Sequence, residues 1–513
     1  MTTEPHESSI AARSLCWSRV AMWSVATITF AIGYGQFPLY EGNYNTYLLH
    51  GFAWAGRGLL AHDWQAQTLD PFPVFSAIVA IAAALDWQWL LYAGHGVLLG
   101  VYLYAAVQVA EHVRPQNSLT STVGITSLIV LSHVWLGRNA ISAVFGGDWG
   151  WCLQAGVAMQ YLLGHMFQPS LFGVFCVASL AAFGRRWERS ALVLAATAVL
   201  VHFSYAITVL GMVAGYAVVR WRDTGNARSA LSYLGIGLAL CAAACLPALR
   251  FLPTDDATAA QAAHILADIR FPHHAVPAQW LAQPGLFSIQ TPLLIAGAVI
   301  AWRTRLRWAY ILAFALGAVL LATQLATGSQ RLALLFPWRV SVVLVPVAFS
   351  LVVGALSRWV PARLDRRYVV AAGAMLSVLA ASYGYGHTRN DVRAYRHDPM
   401  LPMLRAASLM ATPDTLFAIP TTMERFRLET GAPTLVDFKA HPYRDDEVVE
   451  WYARLLLAKE LDADDATQAC NAAETLHERY GVTHFVRASD AALVCDPVTT
   501  AYQDESFLIQ QWR

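Results

Sequence analysis

Apolar runs long enough to cross a bilayer recur along most of this chain, and they constrain its fold more than any other feature. The hydrocarbon core of a membrane is about 30 Å thick, and an α-helix of about 20 residues spans it. Of 513 residues, 57% are hydrophobic and 13% are charged, a composition outside the range of soluble domains. The runs predict about thirteen spanning helices, near residues 15–35, 71–86, 88–112, 119–137, 150–168, 170–184, 190–204, 206–220, 229–250, 286–302, 308–325, 337–357 and 368–385.

Arginines are grouped in alternate gaps between these runs. The clusters are Arg185, Arg186 and Arg189; Arg220, Arg222 and Arg228; Arg303, Arg305 and Arg307; and Arg358, Arg363, Arg366 and Arg367. Because cytoplasmic loops of membrane proteins are enriched in Lys and Arg, these gaps are predicted to face the cytoplasm. The arginine-poor gaps 36–70 and 251–285 are then external loops. The same alternation predicts a cytoplasmic N-terminus and an extracytoplasmic C-terminus in a bacterial plasma (inner) membrane.

Two stretches affect the predicted path of the chain. No small-x-small cleavage site follows residues 15–35, which favours a retained helix over a removed signal peptide. Residues 138–151, RNAISAVFGGDWGW, fit a cytoplasmic turn, a re-entrant segment or an outer loop. Asp148 belongs to this stretch, so it can bind an external substrate only if the stretch reaches the outer face.

The composition changes abruptly after Gly386. Residues 387–513 carry 20 of the 34 acidic residues and 13 of the 35 basic ones, which leaves them near −7 and residues 1–386 near +8. Strand-like runs and helical patterns alternate along this tail, the runs at 415–419, 434–438, 483–486 and 507–510 and the helices at 445–461 and 466–480. The sequence therefore predicts an all-α polytopic membrane module in residues 1–386, followed by a small extracytoplasmic α/β domain.

The cysteines and the short motifs further limit the chemistry that the sequence predicts. Of seven cysteines, five lie in apolar segments, where a small buried residue is ordinary. Cys470 and Cys495 both lie in the tail, and an oxidising compartment would permit a disulfide between them. The sequence has no zinc-ligand spacing, no phosphate-binding glycine loop and no Gly-x-Ser-x-Gly motif. Its net charge of +1 gives no reason to expect a nucleic-acid partner.

The external loop 36–70 is the richest in reactive side chains. It reads QFPLYEGNYNTYLLHGFAWAGRGLLAHDWQAQTLD, and it holds the carboxylates Glu41, Asp63 and Asp70 among aromatic and amide side chains. A carboxylate near low-dielectric lipid can have a raised pKa, which suits a general base. Each of the three acids is also compatible with an ordinary solvated loop residue.

The order of features around this loop resembles that of the GT-C membrane glycosyltransferases. Glu41 follows the first apolar run, and Asp70-Pro71-Phe72-Pro73 opens the second. The superfamily includes the protein O-mannosyltransferases, the aminoarabinose transferases of lipid A and the catalytic subunit of oligosaccharyltransferase, and uncharacterised bacterial multipass proteins are grouped around it. Its members carry a catalytic acid where Glu41 stands and a Pro-Pro motif where Asp70 to Pro73 stand. Here Glu41-Gly42 replaces an Asp-Glu pair, and Phe72 interrupts the prolines.

The resemblance implies a GT-C-like helical arrangement and inverting transfer of a sugar from a polyprenyl-phosphate-linked donor to an outer-face acceptor. Glu41 or Asp63 would act as the base, and Asp70 would bind substrate. Cations or a divalent metal would balance the departing phosphate, and an apolar groove beside the membrane lipids would hold the prenyl chain. The alternatives are a transporter or flippase of lipid-linked saccharides, and a non-catalytic membrane scaffold. Polar residues gather at loop edges rather than at mid-membrane, which favours the enzyme.

Other residues could complete such a site. His273 and His274, in the second external loop, could bind a phosphate or a metal, or could pack at the interface beside Trp280. Arg339 lies at the start of the run 337–357. An arginine there either extends to the lipid head groups or pairs with a lipid-linked phosphate through its two parallel N–H donors.

Overall fold

Long apolar helices and a small C-terminal sheet make up this protein. The computed structural model describes residues 5–113, 119–253, 255–357, 365–463 and 465–513. Six helices within these ranges are long and apolar enough to cross a membrane: Trp89–Val113, Phe203–Thr224, Ala227–Phe251, Arg307–Thr327, Gln330–Leu356 and Arg367–Arg396. A seventh candidate is the pair Thr120–His133 and Trp135–Phe145, which is bent by 65°. These helices are compatible with a multipass membrane protein, but thirteen spans are not supported.

The α-helices before the tail include short ones in residues 36–70 and 251–285, the two loops predicted to be external. In chain order they are Pro5–Tyr34, Tyr44–Tyr47, Leu49–Trp54, Trp64–Gln67, Pro73–Ala84, Trp89–Val113, Leu119–His133, Trp135–Phe145, Val174–Gly184, Glu188–Val201, Ala206–Thr224, Ala227–Cys245, Asp256–His264, Pro272–Ala275, Pro277–Leu281, Thr291–Ala301, Arg307–Thr327, Gln330–Leu334, Val340–Leu356 and Arg366–Arg396. The last of these continues past Gly386, so the change of composition falls inside a helix.

Ion pairs link the first three arginine-rich gaps, which therefore lie together at one end of the helices. Arg305 contacts Glu188 at 2.6 Å and Asp223 at 3.0 Å, and Arg220 also pairs with Glu188. We call this the arginine end. Within the fourth cluster, Arg358 and Arg363 lie outside the described residues.

The first loop lies at the opposite end, which we call the loop end. The backbone N–H of Leu39 donates to the hydroxyl of Tyr92 at 2.8 Å, near the start of the helix Trp89–Val113. The other end of that helix carries Glu111, 3.9 Å from Arg185. This helix therefore joins the loop end to the arginine end.

The segment 71–86 does not cross between the two ends. Its helix, Pro73–Ala84, has 12 residues, and at 1.5 Å per residue it is about 18 Å long. The chain before it and after it contacts the first loop, because Phe72 packs on Tyr47 and Tyr40 donates to Gln88. The predicted span here is wrong because an apolar sequence also suits a short helix buried against other parts of the protein.

The segment 150–168 is also not a spanning helix. A short 3-10 turn at Trp151–Leu153 is followed by irregular chain. Other side chains satisfy its carbonyl groups, since Gln290 donates to Ala155 at 2.9 Å and His95 contacts Gly164 at 2.7 Å. Irregular backbone at membrane depth is tolerated where protein groups satisfy it in this way.

The stretch 138–151 lies at the loop end. Arg138 contacts His165 at 3.1 Å and is ion-paired with Asp148. The carbonyl of His165 accepts from the N–H of Phe37, at the beginning of the first loop, at 2.9 Å. The bend after His133 allows this stretch to remain beside the first loop.

The tail forms a mixed sheet with helices on both faces. Its strands are β1 Phe417–Ala418, β2 His484–Ala488, β3 Val498–Gln503 and β4 Phe507–Trp512. Their order is β1-β2-β4-β3, with β1 parallel to β2 and the other pairs antiparallel. The helices are Leu401–Met410, Phe426–Thr430, Asp445–Glu460 and Ala466–Tyr480. The predicted run 434–438 makes only an isolated bridge from Thr434 to Phe417, and the sequence analysis missed β3.

A disulfide joins parts of the tail. Cys470 is bonded to Cys495 with Cα atoms 6.0 Å apart. The bond connects the helix Ala466–Tyr480 to the chain just before β3. The two cysteines are 25 positions apart in the sequence, so the bond closes a loop and restricts this part of the unfolded chain.

The first loop is bound directly to the tail. The N–H of Leu59 donates to the carbonyl of Gly431 at 2.7 Å, and the hydroxyl of Thr46 donates to the carbonyl of Lys439 at 3.1 Å. Gly58 has a φ of +55°, and a Cβ there would lie 2.7 Å from the Gly431 oxygen. The close approach therefore requires glycine at position 58.

Candidate functional site

Residues from five separate parts of the chain meet between the loop end and the tail. They are the first loop with the Asp-Pro-Phe-Pro motif that follows it, the turn at His202, the second external loop, the N-terminal part of Gln330–Leu356 and the tail. We call this group the arginine–aromatic cluster, and it consists of Tyr47, Phe72, His202, Arg270, Arg339, His441 and Tyr443.

Phe72 lies at the centre of the cluster. Its ring centroid is 4.8 Å from that of His202, 5.4 Å from that of Tyr47 and 5.9 Å from that of Tyr443. The N–H of Phe72 donates to Oδ1 of Asp70 at 2.8 Å. The Asp-Pro-Phe-Pro motif thus orients an aromatic ring at this site, with Asp70 holding the turn.

Arg270 connects the second external loop to the tail. Its guanidinium donates to Nδ1 of His441 at 3.2 Å and to the carbonyl of Lys439 at 2.9 Å. The guanidinium carbon lies 4.8 Å from the Phe271 ring centroid. Burial lowers the pKa of Arg270 from its ordinary value, but an arginine remains charged at neutral pH.

His441 has two contacts at one ring nitrogen. Its Nδ1 lies 3.2 Å from Nε of Arg270, which can only donate, and 3.1 Å from the carbonyl oxygen of Lys439, which can only accept. Burial, followed by the charge of Arg270, holds the pKa of His441 well below its usual value. Nε2 has no partner within the described residues. His441 therefore supplies a neutral ring with one unused nitrogen, Nε2.

Arg339 contributes the second guanidinium. Its Nη1 lies 3.2 Å from Nε2 of His202, and its guanidinium carbon lies 5.4 Å from the Phe336 ring centroid and 6.0 Å from that of Tyr205. Nε of Arg339 is buried with no partner among the residues that the structure describes. The arginine therefore keeps a free donor inside the cluster.

Neither guanidinium is neutralised by a carboxylate. In the described ranges, the ion pairs include no partner for Arg270 or Arg339, and Lys439 reaches only Glu424, at 4.0 Å. Burial lowers the pKa of Lys439. A cluster with two unpaired arginines and aromatic walls suits an anionic ligand that also carries an apolar or ring-shaped group.

Glu41 lies in an acidic network between the first loop and the tail, and no contact among the described residues joins it to the arginine–aromatic cluster. Its side chain is 37% exposed and 3.4 Å from Arg425, which also contacts Asp398 at 2.6 Å and Glu429 at 2.9 Å. Burial raises the pKa of Glu41, and Arg425 partly opposes that effect. The preceding residue, Tyr40, has a φ of +73°. Such strained backbone is found most often at functional sites.

Asp63 has a different environment. It is fully buried, and its Oδ2 accepts from Nε of Arg427 at 2.8 Å and from the N–H of Thr434 at 2.9 Å. Its Oδ1 accepts from the N–H of Ala66 at 3.2 Å, at the start of the helix Trp64–Gln67. Both oxygens are therefore occupied in joining the first loop to the tail.

The two histidines of the second external loop stack on each other. Their ring centroids are 4.0 Å apart, and Nδ1 of His274 donates to the carbonyl of Ala158 at 2.6 Å. Burial lowers the pKa of His274 to about 3, and the neighbouring His273 is the second cause of this decrease. Burial, followed by Arg270 and Lys439, lowers that of His273. Both rings are thus neutral, and His273 is the half-buried one beside the cations.

Asp148 belongs to a separate group of residues at the loop end, in which aromatic rings surround Arg138. It is ion-paired with Arg138, and its Oδ1 accepts from the N–H of Trp151 at 3.2 Å. The Arg138 guanidinium carbon lies 4.6 Å from the Trp135 ring centroid and 4.8 Å from that of Trp151. No contact recorded for the described residues joins Asp148 to Arg270 or Arg339.

Most of the arginine–aromatic cluster was not identified from the sequence. Arg339 was predicted as a site residue, but Tyr47, Phe72, His202, Arg270, His441 and Tyr443 were not. Two sequence features could have indicated them. Arg270 is an isolated basic residue in an external loop, and Lys439-Ala-His-Pro-Tyr443 is a dense group of polar and aromatic residues between a strand-like run and a helix.

The described residues contain no group of three or more His, Cys, Asp or Glu side chains that could hold a metal ion. The divalent metal considered from the sequence therefore stays a prediction.

Comparison with known families gives one match. Residues 399–458 match a family described as a domain of unknown function (DUF6798). The matched region lies in the tail and includes Arg425, Arg427, Lys439, His441 and Tyr443. No curated protein matches the chain.

Proposed function

We propose that this protein is a glycosyltransferase of the bacterial plasma membrane, with the loop end and tail on the outer face and the N-terminus in the cytoplasm. It would transfer a sugar, with inversion, from a polyprenyl-phosphate-linked donor to an outer-face acceptor. One observation carries the proposal: Arg270 and Arg339 have no carboxylate partner among the described residues, and they lie among aromatic rings at the loop end. This arrangement suits a phosphate that is linked to a sugar and to a lipid.

The arginines would bind the donor phosphate. Arg339 offers its unpartnered Nε, and the neutral His441 offers its unused Nε2, which donates to the phosphate in the tautomer that carries the proton there. Charge-assisted hydrogen bonds of this kind strengthen as negative charge develops on the leaving phosphate. The rings of Tyr47, Phe72 and Tyr443 would lie against the apolar face of the sugar.

Glu41 would be the general base. The acceptor hydroxyl gives its proton to the ionised carboxylate, and its oxygen forms a bond to the anomeric carbon. The bond from that carbon to the phosphate oxygen breaks at the same time, and the electron pair leaves with the polyprenyl phosphate. Attack opposite the leaving group inverts the anomeric configuration. The raised pKa of Glu41 makes it a stronger base than a fully solvated carboxylate.

Asp63 has no free oxygen in this arrangement, so we assign it a positioning role. By holding Arg427 and Thr434, it would keep the first loop, and therefore Glu41, against the tail. Asp70 would act similarly on Phe72. Both acids then affect the reaction through the groups that they orient.

The direct test uses full-length protein reconstituted in vesicles with a panel of radiolabelled undecaprenyl-phosphate-linked hexoses and pentoses, together with a bacterial envelope extract as the acceptor. We expect label to leave the lipid fraction and free undecaprenyl phosphate to accumulate. Label that crosses the vesicle membrane while still attached to its lipid would support a flippase instead. If no panel member loses its sugar, the transferase proposal fails.

A further inference from the structure

A large cavity lies away from the arginine–aromatic cluster. It has a volume of about 1540 Å³ and is lined by parts of the helices Pro5–Tyr34, Trp89–Val113, Leu119–His133, Val174–Gly184 and Glu188–Val201. Sites for small molecules usually measure about 300–1,000 Å³. The cavity is therefore large enough for a molecule with a long chain.

One part of the cavity wall is apolar. Val97, Val101 and Ala105 line it from one helix, and Ala178, Ala182 and Leu194 line it from two others. Alanines leave space between the helices, and none of these six side chains offers a polar group. A hydrocarbon chain can lie along such a wall without leaving a hydrogen-bonding group unsatisfied.

The cavity reaches the arginine end, where its lining becomes basic. Arg19, Arg185 and Arg189 line it together with one carboxylate, Glu111. Glu111 is 3.9 Å from Arg185 and accepts from the hydroxyl of Thr122 at 2.7 Å. Within the described part of the chain, Arg19 and Arg189 have no ion-pair partner. Two of the three arginines in the lining are thus unpaired among these residues.

Two tryptophans lie at the same end. Trp23 and Trp187 both line the cavity, and the guanidinium of Arg185 lies 5.8 Å from the Trp187 ring centroid. Tryptophan is enriched where membrane proteins meet the lipid head groups. The basic end of the cavity therefore has the composition of a membrane–water interface.

We propose that this cavity is a binding site for an anionic bilayer phospholipid. The phosphate contacts Arg19 and Arg189, and one acyl chain lies along the wall formed by Val97, Val101 and Ala178. Basic pockets between membrane helices on the cytoplasmic side bind anionic head groups in this way. The site does not depend on the proposed transferase activity, because Glu111 and the first loop lie at opposite ends of the helix Trp89–Val113.

The test measures lipid binding to the purified full-length protein. Native mass spectrometry would compare the binding of phosphatidylglycerol with that of phosphatidylcholine of the same chain length. We expect phosphatidylglycerol to bind more tightly, and Arg19→Gln with Arg189→Gln to weaken it on the order of tenfold or more, since each basic residue at such a surface contributes about 1 kcal/mol. Equal affinity of the unaltered protein for the two lipids would overturn the proposal.

Arg186→Gln is the matched control. Arg186 is in the same cluster but is 74% exposed and faces Asp223 at 3.8 Å, and it does not line the cavity. We expect this variant to bind phosphatidylglycerol normally. Ala178→Phe tests the acyl-chain part without changing charge, and it should also weaken binding. Normal binding by both the double arginine variant and Ala178→Phe would exclude this site.

Discussion

Nε of Arg427 donates to Oδ2 of Asp63 at 2.8 Å across 364 positions of sequence. Their side chains are 2% and 0% exposed. Arg427 also holds Asp437, which lies two positions before Lys439. One buried cation therefore connects the first loop to the part of the tail that contributes to the arginine–aromatic cluster.

We expect Asp63→Asn to destabilise the protein. Removing one partner of a buried ion pair usually costs about 3–5 kcal/mol, and because Asp437 still faces Arg427 the loss should lie near the lower value. Thermal unfolding of the detergent-solubilised protein measures it. The control is Asp446→Asn, whose partner Arg444 is 40% exposed and which should change stability by less than about 1 kcal/mol. Equal shifts in Tm for the two variants would contradict a structural role for Asp63.

Glu41→Gln should abolish most turnover without unfolding the protein. Glutamine keeps the size of the side chain but cannot accept the proton, and a general base contributes roughly 10²–10⁴ in rate. The sugar-transfer assay gives kcat, and detergent extraction checks the protein level. Asp398→Asn is the control, because Asp398 contacts the same Arg425 but is not the proposed base. Full activity in Glu41→Gln would reject this assignment.

The pH dependence provides an independent test of Glu41. Its pKa is raised by burial, and only the ionised carboxylate accepts a proton. Activity should therefore fall as the pH decreases through that raised pKa, above the ordinary value of about 4.3. Arg425 lowers the pKa of Glu41, so Arg425→Gln should move the acid limb of kcat/KM to higher pH. If the acid limb of the kcat/KM profile is unchanged or moves to lower pH in this variant, another group is titrating.

Arg339→Gln should weaken the use of the lipid-linked donor. It removes a charged donor from the proposed phosphate site, and a hydrogen bond to a charged group contributes about 1.5–3 kcal/mol, or roughly 10- to 100-fold in kcat/KM. Arg331→Gln is the matched control, since Arg331 is 50% exposed and contacts Asp256 instead. If Arg339→Gln and Arg331→Gln have the same kinetics, Arg339 does not bind the donor.

Replacing Cys470 by serine should destabilise the tail. A disulfide that closes 25 positions contributes about 3 kcal/mol in the chain-entropy model. We expect a lower Tm for the variant, and a similar decrease when the unaltered protein is reduced. Cys245→Ser is the control, because Cys245 is a free cysteine outside the tail. Two titratable thiols at Cys470 and Cys495 in the purified, unreduced protein would show that the bond is absent.

The sequence by itself determined the class of the protein and much of its local structure. Apolar composition and length predicted membrane helices, and the charged residues after Gly386 predicted the tail. Both predicted tail helices, 445–461 and 466–480, occur at nearly the same bounds. Periodicity is a local property, so a helix in a water-soluble region can be recognised from its own residues.

Only the tertiary structure decided which apolar runs cross between the two ends and which acids are buried. Residues 150–168 are apolar because they pack inside the protein, and this composition does not distinguish a spanning helix from buried irregular chain. Asp63 and Glu41 are both acids in one loop and both meet an arginine of the tail, yet Asp63 is fully buried whereas Glu41 is 37% exposed. Arg270 and His441 are 171 positions apart. Their contact depends on how the loops and tail pack together, which no local pattern specifies.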